Sequence, residues 1–188
     1  MYTYANTKKN LVLRDFSIQD LPLYIALRSH PDFQVYYDDE DVTPEKTAFL
    51  LQLFIQQSQE NPRQKFQLAI CGKDGVLMGS CGIRLEAAGQ ASMGFELGVP
   101  WQHAGRAREA ARAMLDFAFC GLQVQRVYAE TLAENRGATS VCQSLGMQRA
   151  DVDMASRFFK DRKWQAVLFE IHVQDFMLLA KDGPALAG

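Results

Sequence analysis

An α/β (α+β mixed) domain with a mixed rather than purely parallel sheet is the fold class that three features of this sequence predict. Two adjoining strand-like runs, KFQLAICG and GVLMGSCGIRL, flank Asp74-Gly75, a hairpin signal. Further on, strand-like and helix-like segments alternate, beginning with SMGFELGV and the helical run that follows it. The 188 residues with 48% hydrophobic content suffice for one well-buried core, so residues 1–180 form a single domain and 181–188 (KDGPALAG) a disordered tail.

The elements follow in order. After a polar start, Leu11 to Phe16 (LVLRDF) reads as a strand, and SIQDLPLYIALRS as a helix capped by Ser17 or Asp20. The run YYDDEDVTPEKTAFLLQLFIQQSQE is acidic and then helical. Lys46 three residues after Thr43 rules out a capping box there, but Thr43-Pro44 still reads as cap followed by first helical residue. In SMGFELGV, Phe95, Leu97 and Val99 fall on one side and Gly94, Glu96 and Gly98 on the other, which sets Glu96 off the apolar face. Between Glu109 and Phe119, Ala110, Ala113, Met114, Phe117 and Ala118 recur at helical spacing, with Gly121 as the stop. Arg126 to Leu132 (RVYAETL) returns to strand. ENRGATSVCQSLGM forms a short helix ending near Gly146, and Lys163 to Val173 makes the last strand.

Composition excludes several classes. Twenty Lys and Arg against 22 Asp and Glu give a formal charge of −2, which offers no bulk attraction to a nucleic-acid backbone. Cys71, Cys81, Cys120 and Cys142 show no metal-binding or CxxC spacing, so no metal is expected and the cysteines read as small buried side chains in a reduced compartment. No apolar run approaches the roughly 20 residues that span a bilayer, and no signal-like N-terminus is present, which together predict a cytoplasmic protein.

The stretch WQHAGRAREAA, from Trp101 to Ala111, carries the first chemical signal. A strand, a glycine in a short loop and a helix whose first amides have no intrahelical partner make a receiver for an anion. Arg106 or Arg108 would add charge at its rim, and Gly105 would let a diphosphate approach the backbone. From loop chemistry alone, Gly105 serves equally well as a plain turn residue with solvated arginines beside it. Neither GxGxxG nor GxxxxGK[ST] occurs, which argues against a dinucleotide fold or a nucleotide triphosphatase.

The wider pattern resembles the GCN5-related N-acetyltransferase (GNAT) superfamily, in its branch of RimJ/RimL-like ribosomal-protein N-acetyltransferases. The superfamily's pyrophosphate motif is met by Gln102, Gly105 and Ala107 in QHAGRA. GFELGVPW resembles the central strand before that motif and REAARAMLDFAF the helix after it. ENRGATSVCQSLGM resembles the later segment, with Asn135 opening its helix and Leu145, Gly146 and Met147 ending it. TKKNLVLRDF resembles the branch's first strand on Leu11, Leu13 and Arg14. The resemblance covers roughly residues 7–175 and implies a central, bent, mixed sheet flanked by helices and splayed where acetyl-CoA inserts. It assigns the pyrophosphate to Gln102, His103, Ala104, Gly105, Arg106 and Ala107, the pantetheine to the strand of Glu96 and Leu97, and a share of the cofactor arm to Asn135. Asn135 also suits a helix cap.

The implied reaction is direct transfer of the acetyl group to an amine, which needs a neutral amine beside the thioester, a proton route and an oxyanion donor. Glu96 is the first candidate for base or water-orienting group and Glu130 the second; either also reads as an ordinary salt-bridged or solvated strand glutamate. His103 reads as a rim residue. Where the family often carries a serine three residues after the asparagine, this chain has Ala138, which leaves the thiolate to water, Tyr128, a backbone group or Ser140. The acidic segment Asp38, Asp39, Glu40 and Asp41, preceded by Tyr36 and Tyr37, is suited either to a cationic acceptor or to a solvated loop. The acceptor is then an amine-bearing small molecule or a peptide N-terminus, and the protein a monomer or homodimer. The alternative is a non-catalytic acyl-CoA-binding or protein-interaction module.

Overall fold

The computed structural model describes residues 3–6 and 11–182. Strands β1 (Thr3–Asn6), β2 (Leu11–Asp15), β3 (Lys65–Gly72), β4 (Leu77–Leu85) and β5 (Gln90–Leu97) form an antiparallel meander in sheet order. β6 (Arg126–Leu132) then joins β5 in parallel, and the sheet continues antiparallel through β10 (Ala166–His172) to the short β7 (Gln148–Arg149). The mixed sheet flanked by helices is the predicted class. Asp74 and Gly75 make the expected hairpin turn: Gly75 adopts φ 82°, and the Asp74 carboxylate accepts from Val76 N.

Helices cover both faces. Helix α1 (Leu21–Arg28) and α3 (Pro44–Ser58), joined by the short α2 (Pro31–Gln34), close one face through Tyr24 and Leu51, which pack with Phe16, Ala69, Cys71 and Leu77. Helix α4 (Arg106–Asp116), α5 (Arg136–Ser144) and α6 (Val173–Asp182) close the other, where Met114, Leu115, Cys142 and Phe176 meet Leu68, Ile70, Met93 and Phe169. Alternation along β3 feeds both cores, with Leu68 and Ile70 on one side and Ala69 and Cys71 on the other. Both proposed caps near α1 have work: the Asp20 carboxylate accepts from Ser17 N at 2.8 Å and Ser17 Oγ at 3.1 Å, in a 3-10 turn that leads into the helix. Thr43 Oγ1 accepts from Lys46 N ahead of α3, as Thr43-Pro44 predicts.

Several boundaries differ from expectation. The helix after the glycine loop is regular only to Asp116 and then widens into a π-turn over Phe117–Gly121, where Gly121 still ends it. The expected last strand, Lys163 to Val173, is two strands. β9 (Arg162–Trp164) pairs with β8 (Arg157–Phe159) in a separate hairpin, and only β10 belongs to the main sheet. At the break between β9 and β10, the Gln165 side-chain amide donates to the carbonyls of Met154 and Ala166. The predicted tail begins inside α6, which runs through Asp182; residues 183–188 lie outside the described residues. β10 has neighbours on both sides, so the C-terminal strand is satisfied within the chain. No helix among the described residues is long and apolar enough to cross a membrane. Cys71, Cys81 and Cys142 are buried as expected, whereas Cys120 is exposed.

Candidate active site

The parallel pairing of β5 with β6 lasts three rungs, Gln90 with Arg126, Ala91 with Val127 and Ser92 with Tyr128. Beyond Ser92 the two strands part, and their remaining backbone faces a cleft instead of a ladder. Two cavities meet there, of about 460 Å³ and about 640 Å³. Six residues line both: Tyr36, Tyr37, Phe95, Glu96, Asn135 and Ala138.

The larger cavity contains the glycine loop. Gln102, His103, Gly105, Arg106, Ala107, Arg108 and Leu97 line it; Ala104, in the same loop, does not. His103 and Gly105 adopt left-handed conformations, φ 61° and 71°, and Gly105 is the residue from which α4 starts. The first-turn amides of α4 thus open toward the cavity. Gln102 Nε2 donates to Leu97 O at 3.0 Å, which ties the loop to the end of β5. Across the cleft, the N-terminus of α5 contributes Asn135, Arg136, Gly137 and Ala138. Asn135 Oδ1 accepts from Ala138 N at 3.1 Å, so the capping role is real, and the side chain also faces both cavities. Two helix N-termini with Arg106, Arg108 and Arg136 converge on this space, a donor set that fits a polyanionic ligand such as the diphosphate arm of a coenzyme.

The smaller cavity has the opposite character. Asp38, Asp41, Glu96 and Glu130 line it, with Arg28 and Arg157 as its cations. The acidic quartet divides: Asp38 and Asp41 line the cavity, while Asp39 turns to Lys160 at 3.1 Å and Glu40 stays on the surface. Glu96 lies off the apolar face of β5 as its alternation predicts, yet it is not solvated. Its carboxylate accepts from Tyr24 Oη at 2.7 Å and Ser80 Oγ at 3.1 Å through Oε1, and from Arg28 at 2.7 Å and Tyr37 Oη at 3.3 Å through Oε2. Ser80 is its cross-strand partner on β4 and itself accepts from Gln67 Nε2 at 2.9 Å. Four donors match the four acceptor positions of a carboxylate. Burial, together with the Glu96 charge, raises the phenol pKa of Tyr24 and Tyr37 well above the ordinary range, so both stay protonated donors. Burial also pushes the Cys142 thiol, on the wall of this cavity, up to about 11.

The other candidates are placed as follows. Glu130 is at the exposed rim, its carboxylate taken by Arg157. Tyr128, a thiolate donor on the sequence reading, lines neither cavity; its hydroxyl donates to the Glu86 carboxylate at 2.8 Å, because it sits on the last closed rung of the β5–β6 ladder. Ser140 lines the larger cavity from an exposed position. Sequence reasoning missed the group around Glu96, namely Tyr24, Arg28, Ser80 and Gln67. Its one local signal was Tyr24 and Arg28 four apart on a helix whose other buried residue is Leu27.

Comparison with known proteins agrees with this geometry. Residues 10–148 match the acetyltransferase (GNAT) domain family. Over 144 residues the chain is 26% identical to the uncharacterized N-acetyltransferase p20 of Bacillus licheniformis, covering 75% of this chain and 80% of that one. Its fold is similar to the ribosomal-protein-S5-alanine acetyltransferase of Vibrio fischeri, with TM-score 0.75, 15% identity and coverage of 94% and 99% of the two chains. It is similar also to spermidine N-acetyltransferase of Vibrio cholerae, solved with CoA and spermine, with TM-score 0.73, 16% identity and coverage of 89% and 98%. A splayed mixed sheet, a glycine loop opening a helix at the splay and a family match over most of the chain lead to one conclusion: this protein belongs to the GNAT family and is an acetyl-CoA-dependent acetyltransferase.

Proposed function

We propose that the protein transfers the acetyl group of acetyl-CoA directly to a primary amine, either a protein N-terminal α-amine or a small cationic amine. The observation that carries this reading is the meeting of a basic cavity built on two helix N-termini with an acidic one, through six shared residues at the splay. Gln102, His103, Gly105, Arg106 and Ala107 hold the diphosphate at the basic end, Ala104 completes the loop, and Leu97 and Asn135 flank the arm leading to the junction. Asp38 and Asp41 draw the amine to the other end; the ion pairs of Glu96 and Glu130 leave those two carboxylates as the cavity's net charge.

Glu96 receives the proton. Of its four donors Tyr37 is the most distant and is the one that faces both cavities, so its position is the cheapest to exchange for a water bridging to the amine. The amine nitrogen forms its bond to the acetyl carbon as the carbon–sulfur bond breaks. The amine's proton passes through the water to Glu96, and solvent protonates the thiolate. Glu130 acts at the rim, with Arg157, in guiding the amine. An α-amine suits this site because its ordinary pKa lies closer to neutrality than that of a lysine side chain. The small cationic amine is favoured by the acidic wall, and it is the acceptor named for the spermidine enzyme of similar fold.

Equilibrium titration with acetyl-CoA, followed by a free-thiol release assay over spermidine, other polyamines and peptides with free N-termini, tests the proposal. Turnover with at least one amine is expected. Tight binding with no turnover across the panel would favour the non-catalytic acyl-CoA-binding reading, for which Ala138 at the junction is the supporting observation.

A further inference from the structure

Arg28 joins two parts of the acceptor cavity that are far apart in sequence. One terminal nitrogen donates to Glu96 Oε2 at 2.7 Å on the central strand, and the other donates to the Asp41 carbonyl at 2.8 Å in the acidic turn. Its guanidinium lies 5.4 to 5.6 Å from the ring centroids of Tyr24, Phe33 and Tyr37, and its Nε, buried within that surround, has no hydrogen-bond partner. Burial opposes the charge, but Glu96 outweighs it and the guanidinium pKa stays above its ordinary value. A charge held this deep, with one N–H unsatisfied, is costly and contributes little as a mere stability device. Arg28 lines the acidic cavity and not the basic one.

We propose that Arg28 is the positioning residue for the acceptor: a single guanidinium fixes the acidic turn, with Asp38 and Asp41, at a set distance from Glu96, so that acceptor recognition depends on it and acetyl-CoA binding does not. The proposal rests on the acetyltransferase reading of the site for its kinetic consequence, but its geometric consequence is independent of any acceptor. Lysine cannot reproduce the clasp, because one ammonium lacks the planar fork that reaches two acceptors at once. The outer side of the turn has a separate tie, from Lys160 to Asp39 and to the Gln34 carbonyl, which does not contact Glu96.

The test compares wild type, R28K and R28M by amide hydrogen exchange, acetyl-CoA titration and steady-state kinetics with spermidine and an N-terminal alanyl peptide. In R28M, exchange rises across the acidic turn at residues 38–42 and not in α4. The acetyl-CoA Kd changes less than about threefold, and the acceptor KM rises about tenfold or more, the equivalent of one lost charge-assisted hydrogen bond. The acid limb of kcat/KM also moves to higher pH in R28M. The groups facing Glu96 are Tyr24 and Arg28 from α1, Tyr37 after α2 and Ser80 from β4, with Asp41 close by, and Arg28 is the one cation among them. R28K keeps that charge and the aliphatic stem, so its acid limb returns toward wild type while its KM stays raised. Equal losses of acetyl-CoA and acceptor affinity in R28M, unchanged exchange in the turn, or a wild-type KM in R28K would each overturn the proposal. A wild type that turns over neither amine counts against the acetyl-transfer reading with these acceptors; the clasp is then judged on hydrogen exchange alone.

Discussion

Ser92 and Tyr128 form the last parallel rung between β5 and β6, and the chain beyond them on each strand faces the other across open space. Ala138 closes the far side of that opening and lines both cavities. A138F therefore fills the junction from a half-buried position without entering either core. Acceptor and acetyl-CoA affinities should both fall by about tenfold or more, with little change in melting temperature; steady-state kinetics and a thermal melt check this together.

Gly105 holds φ 71° where α4 begins. An alanine there costs roughly 1 kcal/mol of stability for the left-handed backbone. Its methyl would also stand where the diphosphate approaches. G105A is expected to weaken acetyl-CoA about tenfold by calorimetry, a larger effect than its stability loss alone would give.

Asn135 has a visible role, the cap on Ala138 N, and a proposed one, holding the coenzyme arm. N135A should lose about 1 kcal/mol of stability and also acetyl-CoA affinity. N135D separates the two, because aspartate caps as well as asparagine but carries no amide donor and adds a negative charge. Stability should return in N135D while affinity stays low; recovery of both would leave the cap as the whole explanation.

Glu96 and Glu130 should respond differently to the same chemical change. E96Q leaves the buried Arg28 guanidinium without its counter-charge, at a cost of about 3 kcal/mol, and removes the proposed proton acceptor, so kcat should fall at least about a hundredfold. E130Q breaks an exposed pair with Arg157, worth less than about 1 kcal/mol, and should alter acceptor KM only a few-fold. Denaturant melts and pH-rate profiles of both variants distinguish these outcomes.

Acid stability should depend on Asp20. Burial opposes its charge, but the paired hydrogen bonds from Arg14, at 2.7 and 2.8 Å, and those from Ser17 outweigh it and hold the carboxyl pKa below its ordinary value. A carboxylate depressed on folding contributes stability that is fully present above its unfolded pKa and is lost as the pH falls through the folded one. Melts from pH 6 down to about pH 2 should show wild type losing stability in that acid range. D20N is expected to be less stable at neutral pH and to lose part of this pH dependence.

Local patterns in the sequence carried most of the fold. Asp74-Gly75 marked a turn, alternation placed Phe95 and Leu97 opposite Glu96, and Ala110, Ala113 and Met114 marked the helix behind the glycine loop. Thr43-Pro44 was legible as a cap because capping is settled within four residues. The break at Gln165 was not legible, since Trp164 and Ala166 are both buried, as alternate residues of one strand would be, and they differ in pairing with separate partner strands. The loop from Gln102 to Ala107 could be read because its chemistry is local. The Glu96 cluster could not, since Tyr24 and Arg28 on α1, Tyr37 after α2 and Ser80 on β4 come from three separate segments and meet Glu96 only when the sheet closes against α1. The acidic quartet was read as a unit, yet Asp38 and Asp41, three apart across a 3-10 turn, line the cavity from exposed positions and Asp39 is left for Lys160.

The decisive measurement is a crystal structure with acetyl-CoA bound. The diphosphate is expected against the amides from Gly105 to Ala107, the arm beside Leu97 and Asn135, and the thioester at the junction lined by Tyr37, Glu96 and Ala138, with its carbonyl carbon open to the cavity of Asp38 and Asp41. A coenzyme bound elsewhere, or a thioester separated from that acidic cavity by protein, would contradict this placement.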